Sequence, residues 1–296
     1  MKCGFVALAG RPNAGKSTLI NSLIAEKVAI VSEKPQTTRS EIRGILTAED
    51  CQIVFTDTPG LHKAKTRLET RMNKEAADVI RDVDLIYLVT DASVPFGKGD
   101  QYVLDTVRSA GLPVFLILNK ADLLEKEEIL KRLQEWSQRY EFAEYFPISA
   151  KYGRSFSDLI KTTASYLPEG NAMYPAEMTA DGSENFRIAE IIREKVLQCT
   201  EQEVPHASAV VIESKEFRKN ACYLQAKILV EKDGQKAIMI GKQGAMLKRI
   251  GTLARKDIEK LLGKKVFLEL FVRVEDDWRS KDAMITEYGY GGAFRE

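Results

Sequence analysis

No stretch of this 296-residue chain approaches the roughly 20 consecutive apolar residues of a membrane-spanning helix. Met1-Lys2-Cys3-Gly4 runs straight into a strand-like segment without the regions of a signal peptide, so a cytoplasmic protein is expected. Cysteine is sparse: Cys3, Cys51, Cys199 and Cys222 lie far apart with no C-x-x-C pair. That spacing argues against a zinc site or a disulfide framework and for buried structural thiols. Internal repeats and low-complexity tracts are missing too. So is an excess of charge, with 44 Lys and Arg against 43 Asp and Glu, and net charge alone gives no hint of nucleic acid.

Present instead is the composition of a folded protein, 44% apolar and 29% charged, at a length that favours two domains. Phe5–Ala9, Ile53–Thr56, Leu85–Thr90 and Val114–Leu118 are near-continuous apolar runs of strand length, the pattern of strands covered on both faces. Between them fall segments of helical period, notably Lys16–Glu26, Thr66–Arg81, Asp100–Ser109, Glu125–Gln138 and Ser155–Tyr166. Such alternation predicts an α/β domain with a doubly wound, mostly parallel sheet over residues 1–168.

Periodicity fails across residues 169–185, where Gly170, Pro175 and Gly182 stand among small and polar residues, and a linker is expected there. A smaller α+β domain follows over 186–296. Phe186–Glu203 reads as a helix, Ala207–Phe217 and Cys222–Val230 as a hairpin, Ala245–Leu262 as a helix and Val266–Val274 as a strand. With a short helical piece before a glycine-bracketed loop, the order is αββααβ.

The first strand leads into Gly10-Arg11-Pro12-Asn13-Ala14-Gly15-Lys16-Ser17 and then Thr18, a full G-x-x-x-x-G-K-[ST] phosphate loop in its strand-loop-helix context. Main-chain N–H groups can turn inward on phosphates at the helix N-terminus, Lys16 brings a point charge, and the Ser17 hydroxyl can ligate magnesium. Asp57-Thr58-Pro59-Gly60 closes a later strand. Alone it reads as a turn. Downstream of a phosphate loop, Asp57 can hold the magnesium shell and the Gly60 N–H can approach a γ-phosphate. Asn119-Lys120-Ala121-Asp122 follows the next strand, and an ionised Asp122 accepts from the N1–H and 2-amino donors of guanine but opposes the lone pair of adenine N1. Guanine is therefore the expected base, with Ser149-Ala150-Lys151 positioned to offer its O6 a backbone donor.

In this order the motifs resemble a translation-factor-type P-loop GTPase, which implies GTP and GDP as ligands with Mg2+. By that resemblance Thr38 of Pro35-Gln36-Thr37-Thr38-Arg39 is the expected metal and γ-phosphate ligand, with Thr37 the alternative, and residues near 31–40 and 61–70 correspond to switches. Where many GTPases carry a water-orienting glutamine, this chain has Leu61, which cannot do that work. His62 beside it either substitutes or is an exposed switch-loop histidine. Slow intrinsic turnover is expected, with Lys16, Thr38, Gly60 and Asn13 as the catalytic set. Similarity to potassium-activated GTPases with a G-x-P-N-x-G-K-S loop implies that Asn13 helps to hold K+ beside the β and γ phosphates.

Between Lys236 and Arg273, ten basic residues face three acidic ones. Within that stretch lies Ile240-Gly241-Lys242-Gln243-Gly244, followed by Lys248-Arg249-Ile250-Gly251. A G-x-x-G loop alone suits a helix-turn-helix corner as well. Inside αββααβ order and basic surroundings it predicts a KH domain that clamps single-stranded RNA, with Ile240 through Gly244, Lys248 and Arg249 as the binding residues. Trp278, Tyr288, Tyr290 and Phe294 near the C-terminus are expected to pack the edge of this domain.

Taken together, G-x-P-N-x-G-K-S, P-Q-T-T-R, D-T-P-G-L-H, N-K-x-D, S-A-K and I-G-K-Q-G resemble the Era family of bacterial GTPases over essentially the full length. That resemblance implies a monomeric assembly factor for the 30S ribosomal subunit whose KH domain holds the 3′ end of 16S rRNA, with peripheral inner-membrane association. Two other readings stay open at this point: a GTP-gated RNA-binding scaffold with negligible hydrolysis, and a regulatory GTPase whose basic half meets anionic lipid.

Overall fold

The structure, a computed structural model, describes residues 1–153 and 155–290. Phe294, Gly291 and Gly292 of the aromatic tail lie outside them. The described residues fall into two compact units, one of Met1–Lys65 and Glu69–Asp181, the other of Thr66–Leu68 and the chain from Gly182 onward.

In the first unit the apolar runs become β1 (Lys2–Ala9), β2 (Ile42–Thr47), β3 (Cys51–Asp57), β4 (Leu85–Asp91), β5 (Val114–Asn119), β6 (Glu144–Pro147) and β7 (Ala180–Asp181). Helices α1 (Lys16–Ile24), α2 (Arg67–Arg81), α3 (Lys98–Arg108), α4 (Lys126–Ser137) and α5 (Phe156–Tyr166) alternate with them. The strands assemble in the order β6-β5-β4-β1-β3-β2-β7. Neighbours from β6 through β3 run parallel, and β2 and β7 join antiparallel at one edge. Every residue of β3 and β5 is buried, as a strand covered on both faces must be. One face packs on α3 through Val103, Leu104 and Val107, in a core that also takes in Trp136 and Phe142.

Two strands at one side of the sheet, the edge strand β7 and its neighbour β2, were not singled out by pattern. β2 is short and interrupted by Gly44, and β7 is two residues long. The stretch 169–185, expected as linker, carries structure of its own: Gln52 Oε1 accepts from the Met173 and Tyr174 amides at 2.7 and 2.9 Å, and Ala180–Asp181 pairs with Arg43 and Gly44. The parallel order matters for function because it brings the C-terminal ends of β1, β3 and β5 to one rim, where ligands of open α/β sheets bind.

The second unit has α6 (Glu184–Cys199), α7 (Val204–Ala207), β8 (Ala209–Arg218), β9 (Ala221–Val230), α8 (Asp233–Ile240), α9 (Ala245–Leu262), β10 (Lys265–Val274) and α10 (Asp282–Glu287). Ser183 caps α6, its hydroxyl accepting from the Phe186 amide at 3.3 Å. β9 lies between antiparallel β8 and parallel β10. Cys222, Leu224, Ala226 and Ile228 of β9 point into the core, against Ile250, Ala254 and Ile258 at four-residue spacing on α9. Tyr223 and Gln225, the alternate residues, are exposed. The tail residue Trp278 is fully buried with Nε1 donating to the Ala207 carbonyl at 2.8 Å, and Tyr288 and Tyr290 pack on its ring, each 5.8 Å away. Packing, not exposure, is the use of these three aromatics.

Candidate functional site

The β1 strand ends at Ala9, and the phosphate loop turns the chain into α1, whose first-turn N–H groups have no carbonyl of their own helix to bond. Lys16 is buried under this turn and donates to the carbonyls of Gly10 and Arg11 at 3.2 and 3.4 Å. Burial pushes its ammonium below the ordinary lysine range, and the nearby Asp57 carboxylate partly opposes that fall. Arg11 is drawn sideways into an ion pair with Asp100 at 2.9 Å.

Three oxygen-bearing side chains meet at the N-terminus of α1. Ser17 Oγ donates to Asp57 Oδ2 at 2.6 Å, Thr38 Oγ1 donates to the same oxygen at 3.0 Å, and the two hydroxyls lie 2.9 Å apart. Thr37, the alternative, spends its hydroxyl on the Lys34 carbonyl at 2.7 Å. Asp57 is fully buried, and burial raises its carboxyl above the ordinary value against the pull of Lys16 and the two hydroxyls. Its other oxygen, Oδ1, is buried without a hydrogen-bond partner among the described residues. A buried carboxylate oxygen left in this state is costly in a protein interior. The Asp57 carboxylate and the two hydroxyls gathered on its Oδ2 are hard oxygen donors of the kind Mg2+ takes, so the residues present fit that ion.

Thr58 anchors the turn after β3 by donating to the Leu8 carbonyl at 2.8 Å. Beyond buried Pro59, Gly60 passes so close to the phosphate loop that a Cβ there would lie 2.8 Å from the Pro12 nitrogen and 3.0 Å from its Cα. Only glycine fits without displacing backbone. Leu61 turns inward and is 2% exposed within the main core. His62 is held at both ring nitrogens: Nδ1 lies 2.7 Å from the Gly60 carbonyl, and Nε2 lies 3.2 Å from the Gln36 amide nitrogen. Gln36 in turn donates to Glu69 at 2.7 Å. A carbonyl can only accept, so Nδ1 donates to Gly60, and the Glu69 carboxylate lies 3.7 Å from Nε2. Sequence pattern offered no signal for this link between residues 31–40 and 61–70, since Gln36, His62 and Glu69 share no motif.

At the end of β5, Asn119 is buried and bonds in two directions. Its Nδ2 donates to the Ala14 carbonyl at 2.9 Å, and its Oδ1 accepts from the Ala150 amide at 2.9 Å. The phosphate loop and the Ser149–Lys151 loop are thereby tied to one strand end. Lys120 pairs with Asp91 at 2.5 Å. Asp122 is half-buried and has no hydrogen-bonding partner among the described residues. Asn13, exposed and left-handed at φ 66°, donates to the Glu33 carbonyl at 2.7 Å. Thr18 continues α1 half-buried, and Ser149 is buried with no partner for its hydroxyl among the described residues.

In the second unit Gly241 ends α8 at φ 72°, where a Cβ would stand 2.8 Å from the Met246 Cβ. Lys242 and Gln243 are exposed at the loop tip. Beside the loop runs a cleft of about 750 Å³ lined by Gly244 and Lys248 of the expected set and by Leu247, Gly251, Thr252 and Arg255 of α9. Ile240, Gly241, Lys242, Gln243 and Arg249 lie outside that lining. The additional α9 residues recur at four-residue spacing from Leu247, a helical signal that was legible once Gly244 was taken as the helix start.

A phosphate loop, an Asn-Lys-x-Asp turn and a hydroxyl-carboxylate cluster on a doubly wound sheet, followed by an αββααβ unit with a G-x-x-G loop, define a P-loop GTPase joined to a KH domain. Residues 5–120 match the family described as 50S ribosome-binding GTPase, and residues 203–279 match the KH domain. The GTPase Era of Clostridium kluyveri is 46% identical over 291 residues, covering 98% of this chain and 99% of that protein. Among solved structures, an Aquifex aeolicus Era variant bound to GDP and AlF4 superposes with a TM-score of 0.95 at 36% identity, covering 98% of this chain and 99% of that one. Era in complex with MgGDPNP and nucleotides 1506–1542 of 16S ribosomal RNA matches equally well, with TM-score 0.95, 36% identity and the same coverage. The chain belongs to the Era family of GTPases.

Proposed function

We propose that the protein binds and hydrolyses GTP with Mg2+ and uses its KH domain to hold the 3′ end of 16S rRNA, acting in maturation of the 30S subunit. The observation that carries the nucleotide half is the junction of Ser17 and Thr38 on Asp57, with the buried, unpartnered Asp57 Oδ1 beside it. Ser17, Thr38 and Asp57 would hold the magnesium, which when bound neutralises charge between the phosphates. Lys16 would exchange its carbonyl partners for phosphate oxygens. Thr38 belongs to a switch segment and Gly60 to the turn after β3, so both can report whether a third phosphate is present. Leu61 is committed to the core and both His62 ring nitrogens are engaged. Slow intrinsic hydrolysis follows from this, since neither side chain is available to orient water.

For potassium, the support lies in Asn13. A carbonyl can only accept, so the Asn13 amide nitrogen is the atom that meets Glu33, and its Oδ1 remains available to a monovalent cation. Hydrolysis measured with sodium replacing potassium tests this: a large fall supports the assignment, and an unchanged rate removes it.

The relative bound to 16S rRNA nucleotides supports the RNA half, as does the cleft beside Gly244 and Lys248. Lys242→Asp combined with Gln243→Asp tests it in filter binding with that RNA and in a parallel GTP titration. Loss of RNA binding with GTP affinity intact is expected, and retained RNA binding would contradict it. The site of action is read as cytoplasmic, with the protein a monomer. Contact with the inner membrane is read as peripheral, since no helix among the described residues is long and apolar enough to cross it.

A further inference from the structure

Across the open face of the KH sheet runs a row of three stacked side chains that no motif accounts for. Phe267 of β10 and Tyr223 of β9 are register partners, with ring centroids 4.7 Å apart and planes only 13° from parallel. On the other flank of Tyr223 stands Arg218 of β8, its guanidinium carbon 4.9 Å from the ring centroid. Glu216 holds that guanidinium in place through an ion pair at 2.5 Å. The strand order puts Tyr223 in the middle, so both faces of its ring are covered. Phe267 ends the row on the edge strand. It is 55% exposed, and among the described residues no second ring or cation lies over it.

Folding does not call for this arrangement, because the core of the unit lies on the opposite, helix-covered face. The row instead belongs to the cleft: Arg218, Tyr223 and Phe267 line the same cavity as Gly244, Lys248 and Arg255. A G-x-x-G loop clamps about four nucleotides, so a longer strand extends past the loop, and β10 supplies one wall of the cleft beside it. Lys248 and Arg255 of α9, which line the same cleft, carry charge for its phosphates, and an aromatic face accepts any base.

We propose that the outer face of Phe267 is a base-stacking platform for single-stranded RNA leaving the KH cleft, with Tyr223 and Arg218 holding the ring in position. The proposal rests on the RNA-binding reading above and extends it to nucleotides beyond those the loop clamps.

The test uses the full chain and RNA of nucleotides 1506–1542 of 16S rRNA carrying 2-aminopurine at one unpaired position at a time. Wild type, Phe267→Ala, Phe267→Leu and Phe267→Trp are compared by dissociation constant and by 2-aminopurine emission. Stacking predicts that Phe267→Ala and Phe267→Leu bind about tenfold more weakly, that Phe267→Trp restores affinity, and that one or two adjacent positions lose their quenching only in the Ala and Leu variants. Equal affinity in wild type and Phe267→Ala, or full binding by Phe267→Leu, overturns the platform while leaving the cleft reading intact. Failure of wild type to bind this RNA at all overturns both.

Discussion

Asn119 donates from Nδ2 to the Ala14 carbonyl while its Oδ1 accepts from Ala150, so one buried amide joins the Ser149–Lys151 loop to the Gly10–Ser17 loop. Asn119→Ala leaves the Ala14 carbonyl and Ala150 amide without that partner, at a cost of about 1–3 kcal/mol in stability. Urea denaturation should register that loss, and titration with a fluescent GDP analogue should register weaker binding. An unaltered affinity would mean that the two loops are positioned independently of this side chain.

Asp122→Asn replaces an acceptor-only carboxylate with an amide that can also donate. Affinity for GTP should fall roughly ten- to hundredfold, the worth of a bidentate base contact, while affinity for xanthosine triphosphate rises. Competition binding with the two nucleotides reads the change. Retained preference for GTP would assign base recognition to another group.

Gly60→Ala forces a Cβ to within 2.8 Å of the Pro12 nitrogen. Backbone cannot yield as a flexible side chain can, so overpacking of about 1–3 kcal/mol is expected. A lowered thermal midpoint in the nucleotide-free protein, together with reduced discrimination between GTP and GDP, is the predicted outcome.

Much of this was legible in the sequence because both halves obey strong local rules. The helix expected at Ala245–Leu262 has those bounds in the structure, since Gly244 and Gly263 bracket an uninterrupted apolar stripe. The pairing of Ser17 with Asp57 followed from motif order on a parallel sheet. What escaped depends on tertiary partners. β2 and β7 gain their strand character from neighbours at the sheet edge, and the segment expected as linker is ordered by Gln52, a residue far away in sequence. The Phe267–Tyr223 stack depends on the register between β9 and β10, which no periodicity within either strand encodes.

Asp91 offers a pH test. Burial, the largest influence on its carboxyl, pushes it up, but hydrogen bonds from Lys120 and Ser93 outweigh that and leave it below its ordinary value of 3.8. A carboxyl depressed in the folded state adds stability that is present above its unfolded pKa and lost as pH falls through the folded one. Asp91→Asn should therefore cost at most about 1 kcal/mol near neutrality, because the Asp91 and Lys120 side chains are 19% and 35% exposed and water screens the pair. The deficit should vanish as pH is taken below the ordinary carboxylate range. Urea titrations of both proteins across that window check the sign: a gap that widens in acid would contradict it.

The central claim is that main-chain amides, Lys16 and a Ser17-Thr38-Asp57 metal cluster hold a guanine nucleotide on the first domain. Equilibrium titration of the purified chain with fluorescent GDP and GTP analogues, with and without Mg2+ and with ATP as competitor, tests it most directly. Saturable binding that Mg2+ strengthens and ATP fails to displace is predicted; no binding, or displacement by ATP as effective as by GTP, would contradict it.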